Sequence, residues 1–372
     1  MESYEHRSEI AAYGRTYYLQ TNLVPTQHSI ITSLFHEGKL LSKRIEEYEP
    51  SLAPEKIRML VRECHEERKG RINSLLSIKN KLKKTEDGKA HLKLGEALFH
   101  QNLFRESMTE IVRAVKLGIQ QSRAFSLLGN CLLAIGDYEK AIKSFQRGIE
   151  ISPDYPDLHN DLGCTYLMAK RCKDAVQSFK KALDLNKYYQ DGYLNLAIAL
   201  CLNVVEKEDF ELSRNLKARL KEILDKVLQL NPALDTPDFQ EALKALSIER
   251  YDGVYERLTK IKSDRSNVTN DNLSLDLYLI LKFNADSVTE EELDRYIERT
   301  LRALETNPGY ADKQNDLGIL YAAKCKLFID KANDSFQSAL LINKSFKKAE
   351  KNLKLAANDR QGIHFLLKAL LD

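Results

Sequence analysis

The stretch LLGNCLLAIGDYEKAIKSFQRGIEISPD, Leu127 to Asp154, holds two helical patterns joined by Gly136-Asp137 and closed by Ser152-Pro153. Glycine inside a helix costs about 1 kcal/mol relative to alanine, so Gly129 in the first pattern needs a compensating reason. Close packing supplies it. Without a side chain, Gly129 lets its helix lie against the helix that begins near another small residue, Ala141. Larger residues such as Phe145 then fill the space towards the neighbouring unit.

The pattern recurs along the chain. Rows of 34 residues align Gly95, Gly129, Gly163 and Ala197, each preceded by a leucine (Leu94, Leu128, Leu162, Leu196). The same rows align Leu98, Leu132, Tyr166 and Leu200, and then Ser107, Ala141 and Ala175. Ile111, Phe145 and Phe179 follow, and after them Ala114, Gly148 and Ala182. Each row reads as two amphipathic helices at the helical period. One such pair cannot bury both its faces, so the pairs must stack into a solenoid.

These residues resemble the tetratricopeptide repeat family, whose pattern is met most fully from Phe125 to Pro153. It is met again at Gly163, Tyr166, Ala175, Phe179 and Ala182. A further match, NDLGILYAAKCKLFIDKANDSFQSALLIN, uses Leu317, Gly318, Tyr321, Ala332, Phe336 and Ala339 once two residues are inserted in the turn between helices. The preceding YIERTLRALETNPGY reads as the second helix of another repeat, ending at Asn307-Pro308. The resemblance covers residues 88–345 and implies a mostly α protein, an α-α superhelix. Residues 85–233 form four repeats, the fourth with an insert, and 234–285 form a degenerate helical connection. Residues 286–345 form C-terminal repeat units, and 346–372 a lysine-faced capping helix with an amphipathic tail helix. In that tail Ile363, Leu366, Leu367 and Leu370 fall at helical spacing. The tail either caps the last repeat, docks in its own groove, or docks in the groove of another copy. The Asn-Asp-Leu-Gly style of the repeats looks bacterial, and bacterial relatives serve assembly, secretion, motility or polarity complexes.

The N-terminal part is of another kind. Residues 1–15 read as a flexible N-terminus, and 16–84 as a β-meander plus a long helix. TYYLQTNLV, HSIITSLFH and KLLSKRIEEY are rich in β-formers, with turn signals at Pro25-Thr26 and Glu37-Gly38, which predicts three antiparallel strands. Such a small sheet needs a partner surface. The helical pattern opening at Pro54 supplies it through Ile57, Leu60, Val61 and Cys64, while its second half, with Ile72, Leu75 and Leu76, is placed to cap the repeat array.

The resemblance further implies a concave groove lined by the first helix of each repeat. Carried onto this chain, the first repeat presents Lys89, Leu92, Glu96, Phe99 and His100, and the second Arg123, Ser126, Asn130, Leu133 and Ala134. The third presents Asp157, Asn160, Cys164, Leu167 and Met168, and the fourth Asp191, Leu194, Ile198, Cys201 and Leu202. An apolar stripe with asparagine amides beside it suits an amphipathic helix or an apolar peptide of a partner protein. Asp157 and Asp161 stand where a clamp for a carboxylate tail needs cations, which argues against that mode.

Composition excludes several classes. Lys plus Arg is 57 against 54 for Asp plus Glu, a net charge of +3, which gives no reason to expect nucleic acid. No run approaches the roughly 18 apolar residues of a membrane span. The N-terminus lacks the apolar core of a secretory signal. Cys64, Cys131, Cys164, Cys172, Cys201 and Cys325 are scattered without C-x-x-C and read as reduced thiols in the cytoplasm. Neither a phosphate-binding glycine loop nor a nucleophile elbow nor H-E-x-x-H occurs. CHEER, Cys64 to Arg68, places a thiol beside an imidazole, but helix neighbours point about 100° apart and do not converge. The sequence therefore reads as a non-enzyme without metal or cofactor: a protein-interaction scaffold, with a homo-oligomer as a further possibility. Two other readings stand beside it. One is a regulatory subunit acting on an enzyme through the N-terminal domain; the other is RNA binding through basic faces such as NLKARLKEILDK.

Overall fold

The structure is a computed structural model and describes residues 4–82, 85–266, 273–284, 288–306, 309 and 311–371. It divides into two compact units, residues 1–69 with 85–271 and residues 70–84 with 272–372.

The first unit opens with strands β1 (Glu5–Ala12), β2 (Arg15–Val24), β3 (Ser29–His36) and β4 (Lys39–Glu47), an antiparallel sheet in the order β1-β2-β3-β4. Its hairpins β1–β2 and β3–β4 turn on Tyr13-Gly14 (φ 54° and 79°) and Glu37-Gly38 (φ 50° and 75°). Two left-handed residues give the turn whose twist matches the strands. The sequence predicts three strands and a flexible 1–15, so β1 is a correction. EHRSEIAA has one strong β-former, Ile10, and pairing decides: Ile10 lies opposite Tyr17 and Ala12 opposite Arg15.

One sheet face, with Leu19, Thr21, Ile30, Thr32 and Leu34 buried, receives the first half of helix α1 (Pro54–Leu82). Ile30, Val61 and Cys64 form an apolar cluster there with Leu23, Ile57 and Leu60. Arg68 donates to the Thr32 carbonyl at 2.6 Å and to the Ser42 hydroxyl. The second half of α1 belongs to the second unit. The β1–β2 hairpin reaches the first repeat. Tyr13 donates to Glu110 Oε1 at 2.5 Å, and Arg15 pairs with Glu106 at 2.9 Å.

Eight helices follow in pairs: α2 (Gly88–His100) with α3 (Phe104–Lys116), α4 (Ser122–Ala134) with α5 (Tyr138–Ile151), α6 (Pro156–Met168) with α7 (Cys172–Leu185), and α8 (Gln190–Glu206) with α9 (Leu216–Leu230). The small residues sit where helices meet. A methyl group on Gly129 would stand 2.7 Å from the Phe145 ring, and one on Gly163 would stand 2.6 Å from Phe179. The close approach is therefore onto the phenylalanine in the body of the second helix, not onto Ala141. Asn102, Gly136 and Lys170 turn the first three pairs with φ of 60°, 83° and 57°. Asp137 caps α5 by accepting from the Lys140 amide.

The insert in the fourth pair lengthens α8 to Glu206 and adds a charged turn, in which Asn203 Nδ2 donates to the Asp209 carbonyl at 2.8 Å. Beyond it, α10 (Pro237–Ser247) and α11 (Tyr251–Ser266) form a hairpin, and α11 packs back onto α8. Of the expected degenerate connection at 234–285, residues 234–266 are thus mostly helical and belong to the first unit, residues 273–284 belong to the second, and 267–272 and 285 lie outside the described residues.

The second unit holds the second half of α1 with α12 (Leu273–Asn284), α13 (Glu290–Thr306), α14 (Ala311–Ile342) and α15 (Lys347–Leu371). Ile72, Leu75, Ile78 and Leu82 are fully buried, and Arg71 forms a buried ion pair with Asp276 at 3.7 Å. Two expectations fail here. The match at 315–343 should fold as two helices, yet α14 runs through it unbroken, because AAKCKLFID contains no turn residue at the expected break. A methyl group on Gly318 would meet nothing within 4 Å, so no helix is packed against it. The cap and tail are likewise one helix, continuous through Gly362. Of the apolar face assigned to the tail, Leu367 is buried and Ile363 half-buried, whereas Leu366 and Leu370 are 48% and 43% exposed.

Candidate partner-binding groove

The residues expected to line the groove lie on the first helices of the four pairs, and their accessibility changes along the array. At the thirteenth position His100 is half-buried and Ala134 exposed. Met168 is 57% exposed, but Leu202 only 7%. At the ninth position Asn130 and Cys164 are half-buried, while Ile198 is buried.

Helix α11 is the cause. Val254, Leu258 and Ile261 recur at i, i+4 and i+7, so they share one helix face. All three are buried in the same core cluster as Leu194, Ile198 and Cys201 of α8. Burying three such side chains contributes about 1.5–3 kcal/mol each. Lys262, one residue further on, places Nζ 3.4 Å from Cys164 Sγ on α6. A helix of the chain itself thus packs along α8 and reaches α6 through the Lys262 side chain.

Several expected lining residues are buried. Leu194 and Ile198 share a core cluster with α11, and Leu202 is 7% exposed. Leu92 is buried in a cluster with Ile111 and Ala124, so it packs between repeats. Asn160 accepts from Asn195 Nδ2 at 2.8 Å, and Asn130 donates to Asp161 at 3.3 Å. These amides form rungs between neighbouring first helices, so they are not free to hold a ligand's backbone. Glu96 is held by Arg123 and lies 4.0 Å from His100. Burial works against its charge, yet the hydrogen bonds from His100 and Arg123 keep its carboxyl below the usual range.

Of the remaining positions, Lys89, Arg123 and Met168 are exposed, while Phe99, Ser126, Leu133, Cys164 and Leu167 are half-buried. Leu133 and Leu167 pack partly against the core, so their exposed edges alone face outward. Beneath the end of α11, burial pushes the Asp161 carboxyl up to about 6, with Asp157 adding to the rise and Asn130 and Lys262 opposing it. The sequence signal for α11 was its apolar spacing from Tyr251 to Lys262; nothing in that spacing says that it turns back into the groove.

Other chemistry-bearing residues serve the fold. His65 is buried between the Ser8 hydroxyl (2.8 Å) and the Thr21 hydroxyl (3.0 Å), and burial lowers its pKa. A hydroxyl in place of a carboxylate beside the imidazole gives no stabilisation to an imidazolium. Cys64 donates to Glu46 rather than to His65, and burial pushes its thiol up. In the basic stretch of α9, Lys217 donates to the Ser247 carbonyl and Arg219 to that of Leu212. Among the described residues, no cluster of three or more His, Cys, Asp or Glu could hold a metal ion, and no helix is long and apolar enough to cross a membrane.

Residues 129–169 match the family model described as TPR repeat. The protein STIP1 homolog of Dictyostelium discoideum is 31% identical over 81 residues, which are 22% of this chain and 14% of that protein. The match therefore spans a small part of that relative's length. Among solved structures, MamA from Desulfovibrio magneticus is similar at 19% identity and a TM-score of 0.38, covering 49% of this chain and 97% of that one. YrrB, titled a TPR protein with an unusual peptide-binding site, is similar at 15% identity and a TM-score of 0.38, covering 55% and 97%.

Proposed function

We propose that this chain, whose helix pairs are tetratricopeptide repeats, is a non-catalytic interaction scaffold that holds an amphipathic helix of a partner protein in its concave groove. The observation that carries the reading is α11. The concave side of α8 already accommodates an amphipathic helix through an apolar stripe and one lysine. The neighbouring run over α2, α4 and α6 offers exposed Met168 and the half-buried Phe99 and Leu133 as apolar contacts, with exposed Arg123 and Lys89 at its rim. Asp157 and Asp161 on α6 would repel an acidic chain terminus, so a helix with a cationic end is the better occupant.

A pull-down from the native host tests this. The double variant Ala134→Glu with Met168→Glu changes two exposed positions and should retain helical content and melting temperature while losing the partner. Equal capture by the variant and the wild type would overturn the reading. The partner's identity then decides whether a bacterial secretion, motility or polarity complex is involved.

A second reading, in which the N-terminal domain contacts and modulates an enzyme, is favoured by the outer face of the sheet. Arg7, Glu9, Tyr18, Gln20 and Phe35 line a hollow there, with Tyr18 48% exposed. Tyr18→Glu should remove such a partner without touching groove capture, as a pull-down with each variant would distinguish.

A further inference from the structure

We infer that the seat of α11 is an exchange site: a partner helix with apolar residues at i, i+4 and i+7 and a cation one residue beyond takes the place of α11 on α8 and α6. The inference rests on the groove reading above and names the chemistry of the occupant.

Its first support is the way α11 is held. Towards the groove it turns Val254, Leu258, Ile261 and Lys262, with Tyr251 and Tyr255 half-buried alongside. Arg257 and Lys260 point the other way, to α10. Arg257 pairs with Asp238 at 3.0 Å and with Glu241 at 2.6 Å, and Lys260 pairs with Asp238 at 2.7 Å. Thus the α10–α11 hairpin is stitched to itself, and one apolar stripe and one lysine hold α11 in the groove. On this inference the α10–α11 hairpin leaves the seat as one local unit.

The second support is continuity. Lys262 ends over Cys164, where the open run of Leu167 and Met168 begins. A partner already bound along α4 and α6 would meet the end of α11 directly. Asp161, covered by that end of α11 and approached by Lys262, gives the incoming cation a counter-charge. While α11 is seated, the groove is closed at α8; with α11 displaced, a fourth first helix joins the binding surface.

Two measurements on the full chain test the exchange. Cys201 is fully buried under α11, whereas Cys131 is fully buried between the first two repeats. In a Cys325→Ser background, alkylation of Cys201 should run at least about 10-fold faster than that of Cys131 under native conditions, because α11 opens without global unfolding. Equal rates would overturn the inference. The second measurement uses a labelled peptide copying residues 250–263. It should bind the Val254→Asp, Leu258→Asp variant at least about 10-fold tighter than wild type, since undocking α11 frees the seat. Equal binding to both, with the variant still helical, would also overturn it. Where the variant does not fold, the cysteine rates on the otherwise wild-type chain decide alone. Should they be equal while Ala134→Glu with Met168→Glu still abolishes capture, the exchange falls and the groove reading stands.

Discussion

Glycine at the eighth position of a repeat means different things at Gly129 and Gly318, although both follow leucine in the same motif. At Gly129 a methyl group meets the fully buried Phe145 ring. Overpacking of that kind costs about 1–3 kcal/mol, against a helix-propensity gain of about 1 kcal/mol. Gly129→Ala should therefore lower stability, read as a smaller urea midpoint. At Gly318 nothing lies within 4 Å, so Gly318→Ala should raise stability by up to about 1 kcal/mol in the same titration. The motif was legible in both places; whether a second helix lies against it was not, because that depends on a turn several residues away. Asp161 adds a pH dependence. Its folded pKa of about 6 lies above the ordinary carboxylate value of 3.8, so the folded state binds the proton more tightly. Its contribution to stability is present when it is protonated and is lost as pH rises from about 4 through 6. Asp161→Asn should flatten the stability profile across that window, as denaturant titrations at several pH values would reveal.

Among the elements, periodic helices with capped ends were readable, and short or unbroken ones were not. The helices from α2 to α7 follow from spacing plus turn residues such as Gly136-Asp137. Strand β1 was missed because its residues are charged and small, and its partner β2 supplies the reason it is extended. Helices α14 and α15 were each read as two, since a repeat motif and a glycine suggested breaks that the backbone does not need. In the second unit the buried pair Arg71–Asp276 joins α1 to α12. Removing one partner leaves an uncompensated buried charge, which costs about 3–5 kcal/mol. Asp276→Ala should therefore destabilise the helices of residues 273–371, measured by faster amide exchange there, with the repeats of residues 88–230 unaffected.

At the scale of the whole molecule, the sequence carried the repeat architecture. It did not carry the accessibility of the residues expected in the groove. Leu194 and Ile198 are buried in one cluster with Val254, Leu258 and Ile261 of α11, a contact between residues far apart in the chain. The central claim is that the open run of α2, α4 and α6 is where a partner helix lies. A photo-crosslinking side chain placed at Met168, 57% exposed on the concave side, and at Val112, 38% exposed on α3, tests it most directly in the native host. The account predicts a discrete adduct with one partner protein from position 168 and none from position 112. Adducts from position 112 with none from position 168 would contradict it.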